Sequence, residues 1–279
     1  MTIARRSPPA RATARTALAI AFATAALWRS ALAGPPFLTD DPEPVDYHHS
    51  EFYVFATDDQ TADGRSVALP AFEYNEGFWP QMQFHLVVPY AESLPRSGAI
   101  ATGIGDVELG IKVRLLEETA DRPQVGIFPM AELPTGSARA GLGNGQTWWR
   151  LPIWAQKTLG PWETYGGGGY VVNHAPGQRS YAFAGWLVQR DVGPKWTLGA
   201  EVFDQGADLV GGRGRTILNL GGYYAVTPTF DVLFSGGRSV AGAMHTVAYL
   251  GLYWTWGGAS QDAAAASTAA PPRWSLARR

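Results

Sequence analysis

Apolar and polar residues alternate with period two along much of this chain, the spacing of a half-buried β-strand. In residues 106–115, Val107, Leu109, Ile111, Val113 and Leu115 fall on one face, and Asp106, Glu108, Lys112 and Arg114 on the other. Residues 79–90 set Met82, Phe84, Leu86 and Val88 against Gln83 and His85. Residues 195–202 set Trp196, Leu198, Ala200 and Val202 against Lys195, Thr197 and Glu201. Read in this way, the chain predicts twelve strands, at about 50–57, 66–75, 79–90, 104–117, 122–133, 147–159, 161–173, 180–191, 195–204, 214–226, 229–236 and 244–256. Tilted membrane strands need roughly 9–11 residues to cross the hydrocarbon, and most of these segments reach that length. The segment 181–191 is apolar on both faces and does not declare which side is buried.

The connections sort themselves by length. Short ones fall at 76–78, 118–121, 160, 193–194 and 227–228; longer ones, rich in Gly, Ser, Asp and Arg, fall at 58–65, 91–103, 134–146, 174–179, 205–213 and 237–243. Short and long alternate strictly. An up-and-down membrane barrel has short turns at its periplasmic end and longer loops outside, whereas the Greek-key crossings of a β-sandwich give no such sorting. Aromatic placement agrees. Trp79, Trp162, Trp196, Trp254 and Trp256 fall beside short turns, and Tyr90, Trp148 and Trp149 at the opposite strand ends, as two girdles. The expected fold is therefore all-β: an antiparallel transmembrane barrel over residues 50–256.

Inward orientation is close to forced for the charged positions of such strands. On the lipid face each would cost about 2–4 kcal/mol at the bilayer midplane. Asp106, Glu108, Lys112, Arg114, Arg150, Glu163, Lys195, Glu201 and Asp231 are thus expected to line the lumen, either pairing across it or filtering ions.

The two ends differ from the body. Residues 1–33 read as a secretory signal peptide: a basic start with Arg5, Arg6, Arg11 and Arg15, an apolar run from Thr16 to Trp28, and an Ala31-Leu32-Ala33 cleavage site. Residues 34–49 are Pro-rich and acidic and read as a solvated periplasmic lead-in. Its adjacent His48 and His49 point apart on an extended chain, so no metal site is expected. Residues 257–279, rich in Ala, Ser, Thr and Pro, read as a disordered tail.

Composition sharpens this picture. Charged residues make up 16% of the 279, against roughly 25% in soluble domains. A lipid-facing side on every strand accounts for the deficit. With no Cys, a disulfide scaffold and a thiol enzyme are both excluded. The formal charge of −2 becomes −7 once a leader carrying five Arg is removed, so nucleic acid is not an expected partner. The glycine runs 166–169 and 141–145 are not phosphate loops, since neither Gly-Lys-Ser/Thr nor a helix follows, and no cofactor is expected.

Several stretches resemble a known family. Pro36-Phe37-Leu38-Thr39-Asp40-Asp41-Pro42-Glu43-Pro44-Val45, then Gly103-Ile104-Gly105-Asp106-Val107-Glu108-Leu109-Gly110-Ile111-Lys112, then Glu132-Leu133-Pro134-Thr135-Gly136 with Gly141-Leu142-Gly143-Asn144-Gly145 are similar to successive motifs of a group of Gram-negative outer-membrane proteins. That group is named for a role in the meta-cleavage pathway of phenol degradation and is often labelled transporter. The resemblance implies an outer-membrane barrel. The leading functional expectation is passive transport of small molecules, hydrophobic or aromatic ones included. The expected neighbours are outer-membrane lipid, lipopolysaccharide and a small permeant. The alternatives are a lipid-modifying enzyme, for which His85 is the one histidine firmly inside a strand, an adhesive barrel, and a soluble exported β protein.

Overall fold

The computed structural model describes residues 35–257, so the expected leader and all of the expected tail but Gly257 lie outside the described residues. Fourteen ladder segments form twelve strands, because two strands are each interrupted once. The strands are β1 (His49–Thr61), β2 (Gly64–Trp79), β3 (Met82–Pro95), β4 (Ala101–Ile104, resumed as Val107–Leu116), β5 (Gln124–Ile127, resumed as Met130–Leu133) and β6 (Trp148–Leu159). They continue as β7 (Trp162–Val172), β8 (Tyr181–Asp191), β9 (Trp196–Gln205), β10 (Arg215–Thr227), β11 (Phe230–Gly242) and β12 (His245–Gly257). Each pairs antiparallel with its chain neighbours, and β1 pairs with β12 from His49↔Gly257 to Thr61↔His245. The sheet is closed: an antiparallel up-and-down transmembrane β-barrel. Among the described residues the only helical turn is a short 3₁₀ segment, Ala138–Ala140.

The two interruptions have local causes. In β5 Pro129 offers no N–H to the ladder, and Phe128 beside it turns fully inward. In β4 the break falls at Gly105-Asp106, where the Asp106 carboxylate accepts the backbone N–H groups of Gly136 (2.8 Å) and Asn144 (2.6 Å). The carboxylate thereby fastens the connection after β5.

Alternation follows the expected parity. On β4 Lys112 is buried and Ile111 is exposed; on β9 Glu201 is buried and Val202 exposed. The outer surface is a continuous apolar band, with Ile153, Leu220 and Leu250 more than half exposed. Exposure of that extent is tolerated in lipid and not in water. The ambiguous segment resolves as well: β8 turns Phe183, Gly185, Leu187 and Gln189 inward and Trp186 and Val188 outward. Its apolar inner face meets aromatic residues that fill the lumen. Within the glycine run, a Cβ at Gly166 would press on the Trp186 ring and one at Gly167 on the Trp154 ring, so the missing side chains make room for two indoles.

Three of the six long connections are shorter than expected. Strands β1 and β2 continue to Thr61 and from Gly64, and β11 and β12 to Gly242 and from His245, leaving two-residue turns, while β3 continues to Pro95 and β4 begins at Ala101, leaving residues 96–100. Polar residues such as Asp58, Gln60 and Arg65 look like loop, yet their backbones stay in the ladder, and Arg65 pairs with Asp58 across the hairpin. One expected short turn is longer, spanning residues 117–123.

Candidate functional site: the lumen

The segment expected to be a solvated lead-in is instead inside the barrel. Residues 35–45 cross the lumen from the β8–β11 wall to the β3–β5 wall. On the first wall the Leu38 N–H donates to Glu201 (3.1 Å), the Thr39 N–H donates to the same carboxylate, and the Ser235 hydroxyl donates to the Pro36 carbonyl (2.5 Å). On the second wall the Val45 N–H donates to Gln83 (2.8 Å), and the Lys112 ammonium donates to Asp40 (3.0 Å) and Asp41 (3.1 Å). Thr39 and Asp41 are wholly buried. Acidic and Pro-rich composition suggested water, but the backbone N–H groups of Leu38, Thr39 and Val45 and the carboxylates of Asp40 and Asp41 each find a partner on the barrel wall, which offsets the cost of burying them. The Thr39 hydroxyl is the exception, buried with no hydrogen-bond partner among the described residues.

Of the nine charged residues expected to face inward, most do so, in structural roles. Glu201 and Lys112 hold the threaded segment, and Arg114 lies 3.8 Å from Glu43 in the same segment. Arg150 donates to the Leu38 carbonyl (3.2 Å), and its guanidinium lies 4.6 Å from the centre of the Phe183 ring. Glu163 accepts from Gln189 (2.7 Å), Asp231 is buried, and Asp106 ties down the connection already described. Lys195 is the exception. It is exposed at the short-turn end, with its ammonium 5.6 Å from the Tyr224 ring, which shares the outer surface with Trp196. Its parity is inward, but it precedes the first paired residue of β9, so the ladder does not dictate its direction.

The aromatic girdle needs one correction. Trp79, Tyr90, Trp149, Trp162, Trp196 and Trp256 are exposed on the outer surface, and Trp254 shares that surface in a stack with Phe230 (4.9 Å). Trp148 instead turns inward and packs with Phe128, Trp154, Phe183 and Phe203. Two adjacent strand residues must face opposite ways, so Trp148 and Trp149 cannot both meet lipid. Tyr170, not singled out from the pattern, joins the exposed set.

Beside the threaded segment a cavity of about 230 Å³ remains. One wall is aromatic and includes Phe37, Phe55, Phe128 and Trp154. The other is a polar network. His85 lies between Asn75 (Nδ1, 2.7 Å) and Glu108 (Nε2, 2.9 Å), and Asn75 donates to Glu73 (2.8 Å). Glu51 extends the network, accepting from the hydroxyls of Tyr53 (3.0 Å) and Tyr253 (2.7 Å). With both ring nitrogens engaged, His85 is a fixed member of this network. The sequence reading passed over Glu51, Glu73 and Asn75. The signal was present: they alternate with Phe52, Phe72 and Tyr74, as Glu108 alternates with Leu109.

A closed β-barrel of this kind has counterparts among known proteins. The model of the family described as "Putative MetA-pathway of phenol degradation" matches residues 59–253. The chain belongs to this family. Its fold is similar to that of an outer membrane channel from Pseudomonas putida F1, at 16% identity and a TM-score of 0.63, over 77% of this chain and 98% of that one. It is also similar to the NanC porin (7% identity, TM-score 0.54, 73% of this chain and 98% of that one). The KdgM porin, solved with oligogalacturonate, is a third likeness (7%, 0.51, 73% and 99%). At these identities the likeness is one of fold. No curated protein matches the sequence.

Proposed function

We propose that this family member is a passive channel for small molecules, apolar and aromatic ones included, in the outer membrane of a Gram-negative bacterium. The observation that carries the reading is the lumen itself: a closed barrel whose threaded segment leaves a cavity of about 230 Å³ with an aromatic wall. Sites that take small molecules are mostly apolar with a few placed polar groups, and this cavity has that composition. The apolar outer band supports contact with outer-membrane lipid and lipopolysaccharide, and the leader-like residues 1–33 support export. The family description names phenol degradation, and an aromatic permeant suits the aromatic wall. An enzymatic role is not proposed, since the histidine that lines the cavity, His85, is held by Asn75 and Glu108 within the network.

The test is conductance in planar bilayers, together with liposome swelling, using purified protein whose folding is verified by heat-modifiable gel mobility. Discrete conductance or solute-dependent swelling is expected. Neither signal in a folded sample would overturn the channel reading. Membrane fractionation of the native host tests the location separately.

A further inference from the structure

The stretches 103–106, 133–136 and 141–145, separated in sequence, meet at the outer end of the lumen. The connection after β5 folds inward there and rests on the inner faces of β3 and β4. Small residues make room for it. A Cβ at Gly103 would lie 3.2 Å from the Leu142 side chain, one at Gly105 3.5 Å from the Leu142 carbonyl, and one at Gly141 2.8 Å from the Ser93 hydroxyl. Asp106 holds the centre and is buried. One of its oxygens accepts the Gly136 N–H (2.8 Å) and the other the Asn144 N–H (2.6 Å), and a Cβ at Gly143 would overlap the carboxylate. Thr135 fixes the base of the connection, donating to the Gly105 carbonyl (2.8 Å) and accepting the Val107 N–H (3.0 Å). On the other side the side-chain amides of Asn144 and Asn173 donate to each other (3.1 and 3.3 Å).

This assembly stands directly outside the cavity. Asp106 is one inward-facing position, about 7 Å along the strand, beyond Glu108, which lines it. On β5 and β6, Glu132 and Trp148 stand the same step beyond Met130 and Arg150, which also line it. The connection therefore roofs the wall that carries the cavity. Its hold is polar and local. No residue of the turn Ala138–Ala140 is buried, and Leu142 is the one large apolar side chain between Thr135 and Gln146. A segment held by a few hydrogen bonds, with little apolar burial, opens at low free-energy cost.

We propose that residues 134–146 form a gate over the outer end of the cavity and that Asp106 is its latch, a positioning residue that acts through the Gly136 and Asn144 N–H groups. The inference rests on the channel reading and adds to it the step that admits a molecule from outside.

Trypsin reports the latch. Arg139 is exposed within the connection, whereas residues 35–45 contain neither Lys nor Arg, so release of the threaded segment adds no tryptic site of its own. Cleavage after Arg139 of the full mature protein is located and timed by mass spectrometry, beside conductance in planar bilayers and liposome swelling. Asp106→Ala removes two charge-assisted hydrogen bonds and is expected to speed this cleavage about ten-fold or more, with heat-modifiable mobility retained. Gly143→Ala should act in the same direction by displacing the carboxylate, and Asp106→Asn, which keeps one acceptor, should fall between Ala and the native residue. Conductance and swelling rate should rise in the same order. A protein with residues 137–145 replaced by a short Gly-Ser link lacks the gate altogether and should match or exceed Asp106→Ala in both, which frees the test from the folding of any one point variant. Faster cleavage with conductance and swelling held at the native level, in the point variants and the shortened protein alike, would make Asp106 a structural clamp only and overturn the gate. Unchanged cleavage in folded Asp106→Ala would overturn the latch. Both results leave the channel reading in place when the native protein conducts, whereas no conductance or swelling from native protein, variants and shortened protein refutes channel and gate together.

Discussion

The Lys112 ammonium on the barrel wall lies 3.1 Å from the carboxylate of Asp41 in the threaded segment, and both side chains are almost completely buried. A sequence separation of 71 residues is closed by this contact, and Asp40 completes it from the other side at 3.0 Å. The pair therefore links what the lumen contains to the wall that encloses it.

Lys112→Met should loosen the threaded segment without opening the barrel. It leaves Asp40 and Asp41 buried without their cation, and breaking a buried pair in this way costs about 3–5 kcal/mol. That cost falls on docking of residues 35–45, because the ladder itself is backbone-bonded. The expected outcome is faster proteolysis of the threaded segment and higher conductance, with heat-modifiable mobility retained. Unchanged proteolysis would show that Lys112 does not hold the segment.

The opposite wall offers a steric counterpart. A Cβ at Gly185 on β8 would overlap the Thr39 hydroxyl, and strand neighbours leave the threaded chain as the part able to move. Gly185→Val should therefore reproduce the Lys112→Met phenotype. Glu201→Ala should do so too, since Glu201 accepts two backbone N–H groups of the segment and the Asn219 amide (3.0 Å). Each charge-assisted bond of this type contributes about 1.5–3 kcal/mol. Glu201→Gln, which keeps one acceptor, should fall between Ala and the native residue in rate of proteolysis.

Docking should also depend on pH, with opposite signs from two adjacent acids. Burial lifts the Asp40 carboxyl, but the charge and hydrogen bond of Lys112 outweigh it and hold the group below the usual carboxylate value. Burial lifts Asp41 as well, and Lys112 does not outweigh it there because the neighbouring Asp40 charge pushes the same way, so Asp41 stays well above that value. A lowered carboxyl contributes stability that is lost as pH falls through its folded value. A raised one contributes stability that is lost as pH rises through its folded value. Docking should be firmest between the two titrations, loosening in stronger acid as Asp40 protonates and again toward alkaline pH as Asp41 ionises. Asp41→Asn should remove the alkaline loosening and leave the acid one. Protease accessibility of residues 35–45 across pH measures both.

Period-two alternation made the wall legible from sequence, because the ladder ties side-chain direction to residue parity. Lys112, Glu201 and Gln83 could be placed inward on that ground alone. The filling of the lumen was not legible. Residues 35–45 have no periodicity, and their partners at positions 83, 112 and 201 are remote in the chain, so nothing local distinguishes them from a solvated leader. The same filling explains why β8 resisted assignment. Leu187 packs on Phe37 and Tyr165, giving its inner face the apolar character otherwise reserved for lipid. The misread hairpins have the complementary cause: Asp58 and Arg65 lie where polar side chains no longer report which face is buried, yet backbone pairing persists.

The outer band gives the last prediction. Leu220 on β10 is 67% exposed and Ile153 on β6 is 53% exposed, on faces opposite the buried Asn219 and Trp154. In a water-soluble barrel, Leu220→Lys would be nearly neutral, since it replaces an exposed apolar side chain by a solvated one. In lipid the ammonium must be moved to an interface or desolvated, at about 2–4 kcal/mol near the midplane and close to nothing near the rims. Refolding into phospholipid vesicles, followed by heat-modifiable mobility, should therefore show a marked loss for Leu220→Lys and Ile153→Lys. Trp256→Lys, at the end of β12 beside the rim, should show little. A uniform small effect at all three positions would mean that the band does not face hydrocarbon, because only a bilayer makes the cost of one charge depend on its depth.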